Sequence, residues 1–296
     1  MSGGRDAGSP SPGLDPPRPA PHVLHVSDGT VLHYQAWSAA KPRAALLVSH
    51  GLGEHGGRYA ALARDLAPRG ISVCAVDHRG HGRSDGGRAF VRRFEEYVDD
   101  LEAVRRSVAE THFAGLPLFF LGHSLGGLIA LRHLAAHPAA FRGAILSAPL
   151  LGVAVKAPRW KVAAAGTLSR LLPRLPLSNE IDPAELSHDP AYVRSYREDP
   201  LVHDRITPRL FTEMMAHVGR ALAEADRLPR PLLFVVPTAD TVVDESAVLR
   251  FAEALPGDVT IRRYEGFRHE AHNEVDRARV IGDMAAWIDG VLARQP

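Results

Sequence analysis

The chain holds a single cysteine, Cys74, among its 296 residues, so it cannot close an internal disulfide. Cys74 sits in the apolar run Ile71-Ser72-Val73-Cys74-Ala75-Val76, which reads as the place of a buried structural thiol. Long apolar runs are missing too, none approaching the roughly 18 residues that a membrane span needs. Net charge is almost absent at +1, which removes the basic field that nucleic-acid binding requires, and no such partner is expected. Residues 1–21 are rich in Gly, Pro and Ser and lack the apolar stretch of a secretory signal. They read as a disordered leader, too poor in apolar side chains to offset the entropy of ordering. A cytoplasmic protein is expected.

What is present is an ordinary globular composition, 45% hydrophobic and 23% charged. Short apolar runs alternate with helical patterns, the signature of βα units stacked around a mostly parallel sheet. Strands are expected at 44–49, 71–76, 116–121, 143–147, 231–236 and 259–264. Helices are expected at 59–66, 125–137, 245–255 and 274–292. Phe94, Tyr97, Val98, Leu101, Val104 and Val108 recur every three or four residues among charged neighbours, which predicts one more amphipathic helix. The alternation breaks between residues 151 and 230, where Pro158, Pro173, Pro176, Pro183, Pro190, Pro200 and Pro208 favour short helices joined by turns. A structureless loop of that length does not suit a compact domain, so an inserted cap is expected. The division is then a leader at 1–21, a core at 22–150 and 231–296, and a cap at 151–230.

The strongest chemical signal is Gly122-His123-Ser124-Leu125-Gly126, set between an expected strand and an expected helix. A serine on so sharp a turn projects its hydroxyl outward, and the glycines leave room for the strained backbone. Serine is a weak nucleophile and needs a base that is oriented by an acid, in the chain order Ser, Asp or Glu, His. Asp240 follows the strand 231–236 and His269 follows the strand 259–264. Asp244 and His272 are rivals, farther from the strand ends. The chain has sixteen histidines, so one match alone means little, but three residues in order after three strands mean more. His50-Gly51-Leu52-Gly53 after the first of these strands suits an oxyanion hole, with the backbone N–H groups of Leu52 and Leu125 as donors. Together these features predict an α/β-hydrolase fold: a mostly parallel central sheet flanked by helices, with an inserted helical cap. No cofactor is required, and the Asp77–Asp85 loop reads as Gly-rich turn chemistry with no metal.

Three blocks resemble the monoacylglycerol lipase family: His50-Gly51-Leu52-Gly53-Glu54-His55-Gly56-Gly57-Arg58-Tyr59, Asp77-His78-Arg79-Gly80-His81-Gly82-Arg83-Ser84-Asp85-Gly86, and Gly122 to Gly127. Tyr264-Glu265-Gly266 followed by His269 and His272 fits as well, and the likeness runs from about Val31 to Val291. It implies a serine ester hydrolase with the triad Ser124, Asp240 and His269, acting on a small lipid ester such as monoacylglycerol. It also implies glycerol-head contacts from Glu54, Arg58 and His272, where Glu54 and Arg58 read from the sequence alone could equally form a local salt bridge. A lysophospholipase or general carboxylesterase, a peptidase or acyltransferase, and a non-catalytic binding protein are the alternatives.

The segment from Pro149 to Asn179 has no acidic residue but carries Lys156, Arg159, Lys161, Arg170 and Arg174. Trp160, Ala164, Leu168, Leu171 and Leu172 share helical spacing. Such a segment can touch a membrane surface transiently, close over an acyl channel, or simply pack on the core.

Overall fold

A computed structural model describes residues 20–154 and 159–294; side chains are described for these except at 159–163. The leader expected at 1–21 therefore lies almost wholly outside the described residues, as do Lys156 and the side chains of Arg159, Trp160 and Lys161. Ala20 and Pro21 belong instead to the first strand.

Eight strands form the central sheet: β1 (Ala20–His25), β2 (Val31–Trp37), β3 (Ala44–Ser49), β4 (Ile71–Val76), β5 (Leu118–His123), β6 (Ala144–Ser147), β9 (Leu232–Pro237) and β10 (Val259–Tyr264). Between β6 and β9 lies a small antiparallel pair, β7 (Leu177–Ser178) and β8 (Arg205–Ile206). The order across the large sheet is β1-β2-β4-β3-β5-β6-β9-β10. β1 and β2 pair antiparallel, as do β2 and β4, and every other pairing is parallel. The strands β3, β4, β5 and β6 are buried at every residue, which is why they read as continuous apolar runs without alternation. β1 has no buried residue and β2 alternates part-covered with buried ones, and their polar positions hid them from a search for apolar runs.

One face of the sheet is covered by α2 (Glu95–Thr111), α3 (Leu125–Ala136) and α7 (Glu245–Ala254), the other by α1 (Ala60–Leu66) and α8 (Arg277–Arg294). The alternating pleat of β3 sends Ala45 and Leu47 into the first layer and Ala44, Leu46 and Val48 into the second. The expected helix at 274–292 starts later, because a 3₁₀ turn at Ala271–Asn273 precedes α8. Among the described residues no helix is long and apolar enough to cross a membrane.

The insertion between β6 and β9 contains α4 (Arg159–Leu171), α5 (Pro190–Glu198) and α6 (Pro208–Ala223). Prolines open α5 and α6, where the missing N–H costs nothing, and Asp189 and Thr207 cap them. The apolar stripe expected along α4 divides. Ala164 and Leu168 face a cavity, whereas Leu171 and Leu172 are exposed.

The chain turns back on itself at β3. From there one connection leads to β4 on one side, and β5 pairs on the other. At such a switch point the loops beyond the carboxyl ends of the two strands diverge and leave a crevice. Ser49 closes β3 and His123 closes β5, so the loops carrying Leu52 and Ser124 both open into it.

Candidate active site

Only one residue, Ser124, separates the end of β5 from the start of α3. Its backbone must turn there at φ +52 and ψ −118, a region that side chains seldom occupy. Four hydrogen bonds hold it. The Ser124 N–H donates to the Ser147 carbonyl at 3.1 Å, and the Ser124 carbonyl accepts from Gly127, Leu150 and Leu128 at 2.9, 3.0 and 3.2 Å. The neighbouring glycines are steric requirements. A Cβ on Gly126 would lie 2.0 Å from the Ser49 carbonyl oxygen, and one on Gly122 would lie 2.6 Å from the Gly126 carbonyl. The expected strand at 116–121 accordingly runs two residues further, carrying its end to the turn.

The loop after β9 presents Asp240. Its Oδ1 accepts from the Val242 and Val243 N–H groups at 2.8 and 2.9 Å, and its Oδ2 accepts from His269 Nδ1 at 2.7 Å. Because Nδ1–H donates to a carboxylate, Nε2 is left with the lone pair that a base uses. The His269 ring lies 4.7 Å from that of His123, the residue before Ser124. Burial alone would lower the His269 pKa, but Asp240 outweighs it, with help from Glu270 and Glu54, and the pKa rises above its ordinary value. The rivals stand elsewhere. Asp244 caps α7, accepting from Ser246 and Ala247, and the His272 ring is stacked on Tyr59 at 5.2 Å.

The loop after β3 is braced from beneath. His50 donates through Nδ1 to the Gly51 carbonyl at 2.7 Å and accepts the His78 N–H on Nε2 at 3.0 Å. The Gly51 N–H donates to Glu54 Oε1 at 2.6 Å. Among the described residues the N–H groups of Leu52 and Leu125 have no protein acceptor, and both residues line the same cavity as Ser124. Asp77 ties the neighbouring loops together, accepting from Gly56 at 2.8 Å and Arg83 at 2.9 Å.

That cavity has a volume of about 680 Å³ and is walled chiefly by apolar side chains, among them Leu150, Leu168, Phe211, Met214, Met215 and Val242. Glu54, Arg58 and His272 do not line it. They lie together behind the oxyanion loop, where Glu54 is 2% and His272 1% exposed. Burial, then the neighbouring Glu270, pushes the Glu54 carboxyl up to about 8. Arg58 is sandwiched between the rings of Tyr192 and Tyr196, at 4.7 and 4.4 Å, and pairs with Asp199 at 3.5 Å. The salt bridge read from sequence between Glu54 and Arg58 is thus replaced by a larger cluster. Among the described residues, four of its buried polar atoms have no hydrogen-bond partner: Glu54 Oε2, Arg58 Nε and both ring nitrogens of His272. Tyr192, Tyr196 and Glu270 escaped the sequence reading. The four-residue spacing of the two tyrosines on one helix was the available signal, but nothing local says which loop they meet.

The family described as serine aminopeptidase, S33, matches residues 40–276. Over 270 residues the chain is 32% identical to a monoacylglycerol lipase of Mycolicibacterium smegmatis, covering 90% of this chain and 96% of that protein. It is 36% identical over 274 residues to a monoglyceride lipase of Homo sapiens, covering 90% and 89%. The crystal structure of a Paleococcus ferrophilus monoacylglycerol lipase matches with a TM-score of 0.80 at 34% identity, over 88% of this chain and 99% of that one.

Two outcomes are expected from this geometry. Gly126→Ala should destabilise the fold by about 1–3 kcal/mol, because backbone must move to admit the methyl group; urea denaturation measures it, and unchanged stability would contradict the contact. Ester turnover at sub-saturating substrate should rise with pH through a midpoint above the ordinary histidine value of 6.5, because the raised His269 must lose its proton to act as base. A pH profile of kcat/KM with its midpoint below 6.5 would count against His269.

Proposed function

The chain belongs to the serine aminopeptidase S33 family and is an ester hydrolase, and we propose that it cleaves single-chain lipid esters through an acyl-enzyme on Ser124. The preferred substrate is monoacylglycerol, released as glycerol and free fatty acid. His269 takes the Ser124 proton, and Oγ attacks the ester carbonyl. The Leu52 and Leu125 N–H groups receive the oxyanion, each worth about 3 kcal/mol of transition-state stabilisation. His269 then protonates the departing alcohol, and a water activated by the same imidazole frees the acid. Asp240 keeps Nδ1 protonated and steadies the imidazolium. The observation that carries this reading is the 2.7 Å Asp240–His269 bond beside a serine held at φ +52, in a cavity walled by apolar side chains.

The acyl chain occupies that cavity. The alcohol is assigned to the polar cluster of Glu54, Arg58 and His272, whose unpartnered atoms can be satisfied by hydroxyl groups. Glu54, neutral at pH 7 with its raised pKa, offers an O–H donor there. A hydroxyl-rich, uncharged head suits these groups better than a phosphocholine, which favours monoacylglycerol over a lysophospholipid. The membership in a hydrolase family sets aside the non-catalytic alternative.

Ser124→Ala should abolish both monoacylglycerol hydrolysis and labelling by a fluorophosphonate, and equal turnover by both proteins would sink the nucleophile assignment. In the same panel, wild type should favour monoacylglycerol over lysophosphatidylcholine. Glu54→Ala should raise KM for monoacylglycerol while sparing p-nitrophenyl esters, which carry no glycerol.

A transient membrane contact is placed on the connection from α4 to β7. Leu171, Leu172, Leu175 and Leu177 are exposed there by 72%, 52%, 38% and 40%, beside Arg170 and Arg174. Leu177 also lines the cavity, so the patch borders the entrance. Pairing Leu171→Ser with Leu172→Ser should reduce co-sedimentation with phosphatidylglycerol vesicles; unchanged binding would remove the patch from consideration.

A further inference from the structure

The two halves of the insertion have different attachments. Residues 159–178 roof the cavity, contributing Ala164, Ala165 and Leu168 to its wall. They are bonded to α6, where Ser169 meets Thr212 at 2.9 Å and Arg209 donates to the Ser169 carbonyl at 3.0 Å. Residues 183–203 contribute only Glu185 to the wall, and are bonded instead to the loop that carries His269.

That loop has little support of its own. β10 ends at Tyr264 and α8 begins at Arg277, with one 3₁₀ turn between them. On the β9 side, the Ala239 N–H donates to the Phe267 carbonyl at 2.9 Å, and Asp240 accepts from His269. The Gly266 N–H also donates to Thr238 Oγ1, and within the loop the Arg268 N–H donates to Glu274 Oε1, both at 2.9 Å. Further bonds come from the insertion and flank His269 on both sides in the chain. Before it, Arg268 donates to the carbonyls of Ala184 and Ser187 at 2.5 and 3.2 Å. After it, the Glu270 N–H donates to the Leu186 carbonyl at 2.9 Å, and the Tyr192 hydroxyl donates to the Glu270 carboxylate. The same carboxylate oxygen accepts from Asn273 Nδ2 at 2.7 Å, and Glu270 is 2% exposed. A buried carboxylate that accepts two donors is held firmly, and its direction is fixed.

We infer that the Tyr192–Glu270 hydrogen bond is a tether by which α5 holds His269 in its reactive place, so that Tyr192 and Glu270 are positioning residues. The inference rests on the triad proposed above. Neither residue lines the acyl cavity, and because both border the cluster assigned to the alcohol, a substrate without a glycerol head isolates their action on the base. A displacement of about 1 Å at a reacting group can cost on the order of 100-fold in rate.

The test is Tyr192→Phe, Glu270→Gln and the double variant, assayed on a soluble p-nitrophenyl ester and by the rate of fluorophosphonate labelling, with thermal unfolding in parallel. Tyr192→Phe should lower kcat and the labelling rate by about tenfold or more, with KM changed by less than about twofold. The double variant should lose no more than the worse single, because both act on one bond, Tyr192→Phe by deleting its donor and Glu270→Gln by neutralising its acceptor. Tyr192→Phe deletes a single oxygen and decides the matter even if Glu270→Gln does not fold. The tether is refuted if kcat and labelling stay within about twofold of wild type, if the loss lies in KM, or if the two losses multiply. Wild type that resists the fluorophosphonate would overturn the triad itself, whereas labelling at equal rates in wild type and Tyr192→Phe would overturn the tether alone.

Discussion

The site depends on one backbone constraint. A single residue must carry the chain from a buried strand into a helix, and that residue is not glycine. The strain at Ser124 persists because surrounding groups over-determine it: four backbone hydrogen bonds fix its peptide units, and the absence of side chains at Gly122 and Gly126 lets β3, β5 and α3 close around it. The same closeness aligns the end of β3 with the start of α3, which brings the Leu52 and Leu125 N–H groups to one cavity. A looser turn would relieve the serine and separate the donors.

The electrostatics follow from burial. His269 is enclosed and would shed its proton readily, yet Asp240 reverses that tendency through a direct bond. Glu54 shows the opposite outcome. Enclosed beside Glu270, and with Arg58 too weak an opponent, it is driven toward its neutral form. One carboxyl is thus bonded directly to a histidine, while burial drives the other toward its neutral form.

Much of this arrangement was legible in the sequence. The buried parallel strands announce themselves as apolar runs, because both of their faces need apolar side chains, and β3 and β4 begin and end where the runs do. The order Ser124, Asp240, His269 was legible because each follows a strand. The preference for His269 over His272 rests on position in the sequence, and the structure gives the two rings different contacts: one meets Asp240, the other meets Tyr59. The edge strand β1 and its neighbour β2 were not legible, since every residue of β1 and three of the seven in β2 are exposed or only partly covered. The insertion could be outlined from its prolines, but its partners could not be read.

By itself, then, the sequence determined the alternating layers and the strand-to-helix turn at Ser124, because those depend on local periodicity and on residues adjacent to strand ends. Tertiary structure alone decided how the insertion is used. Tyr192 and Glu270 lie 78 residues apart, and Arg58 reaches Asp199 across a still longer stretch of chain. Local propensity carries no information about such pairs, since they form only when a folded sheet brings two distant loops to the same edge of the cavity.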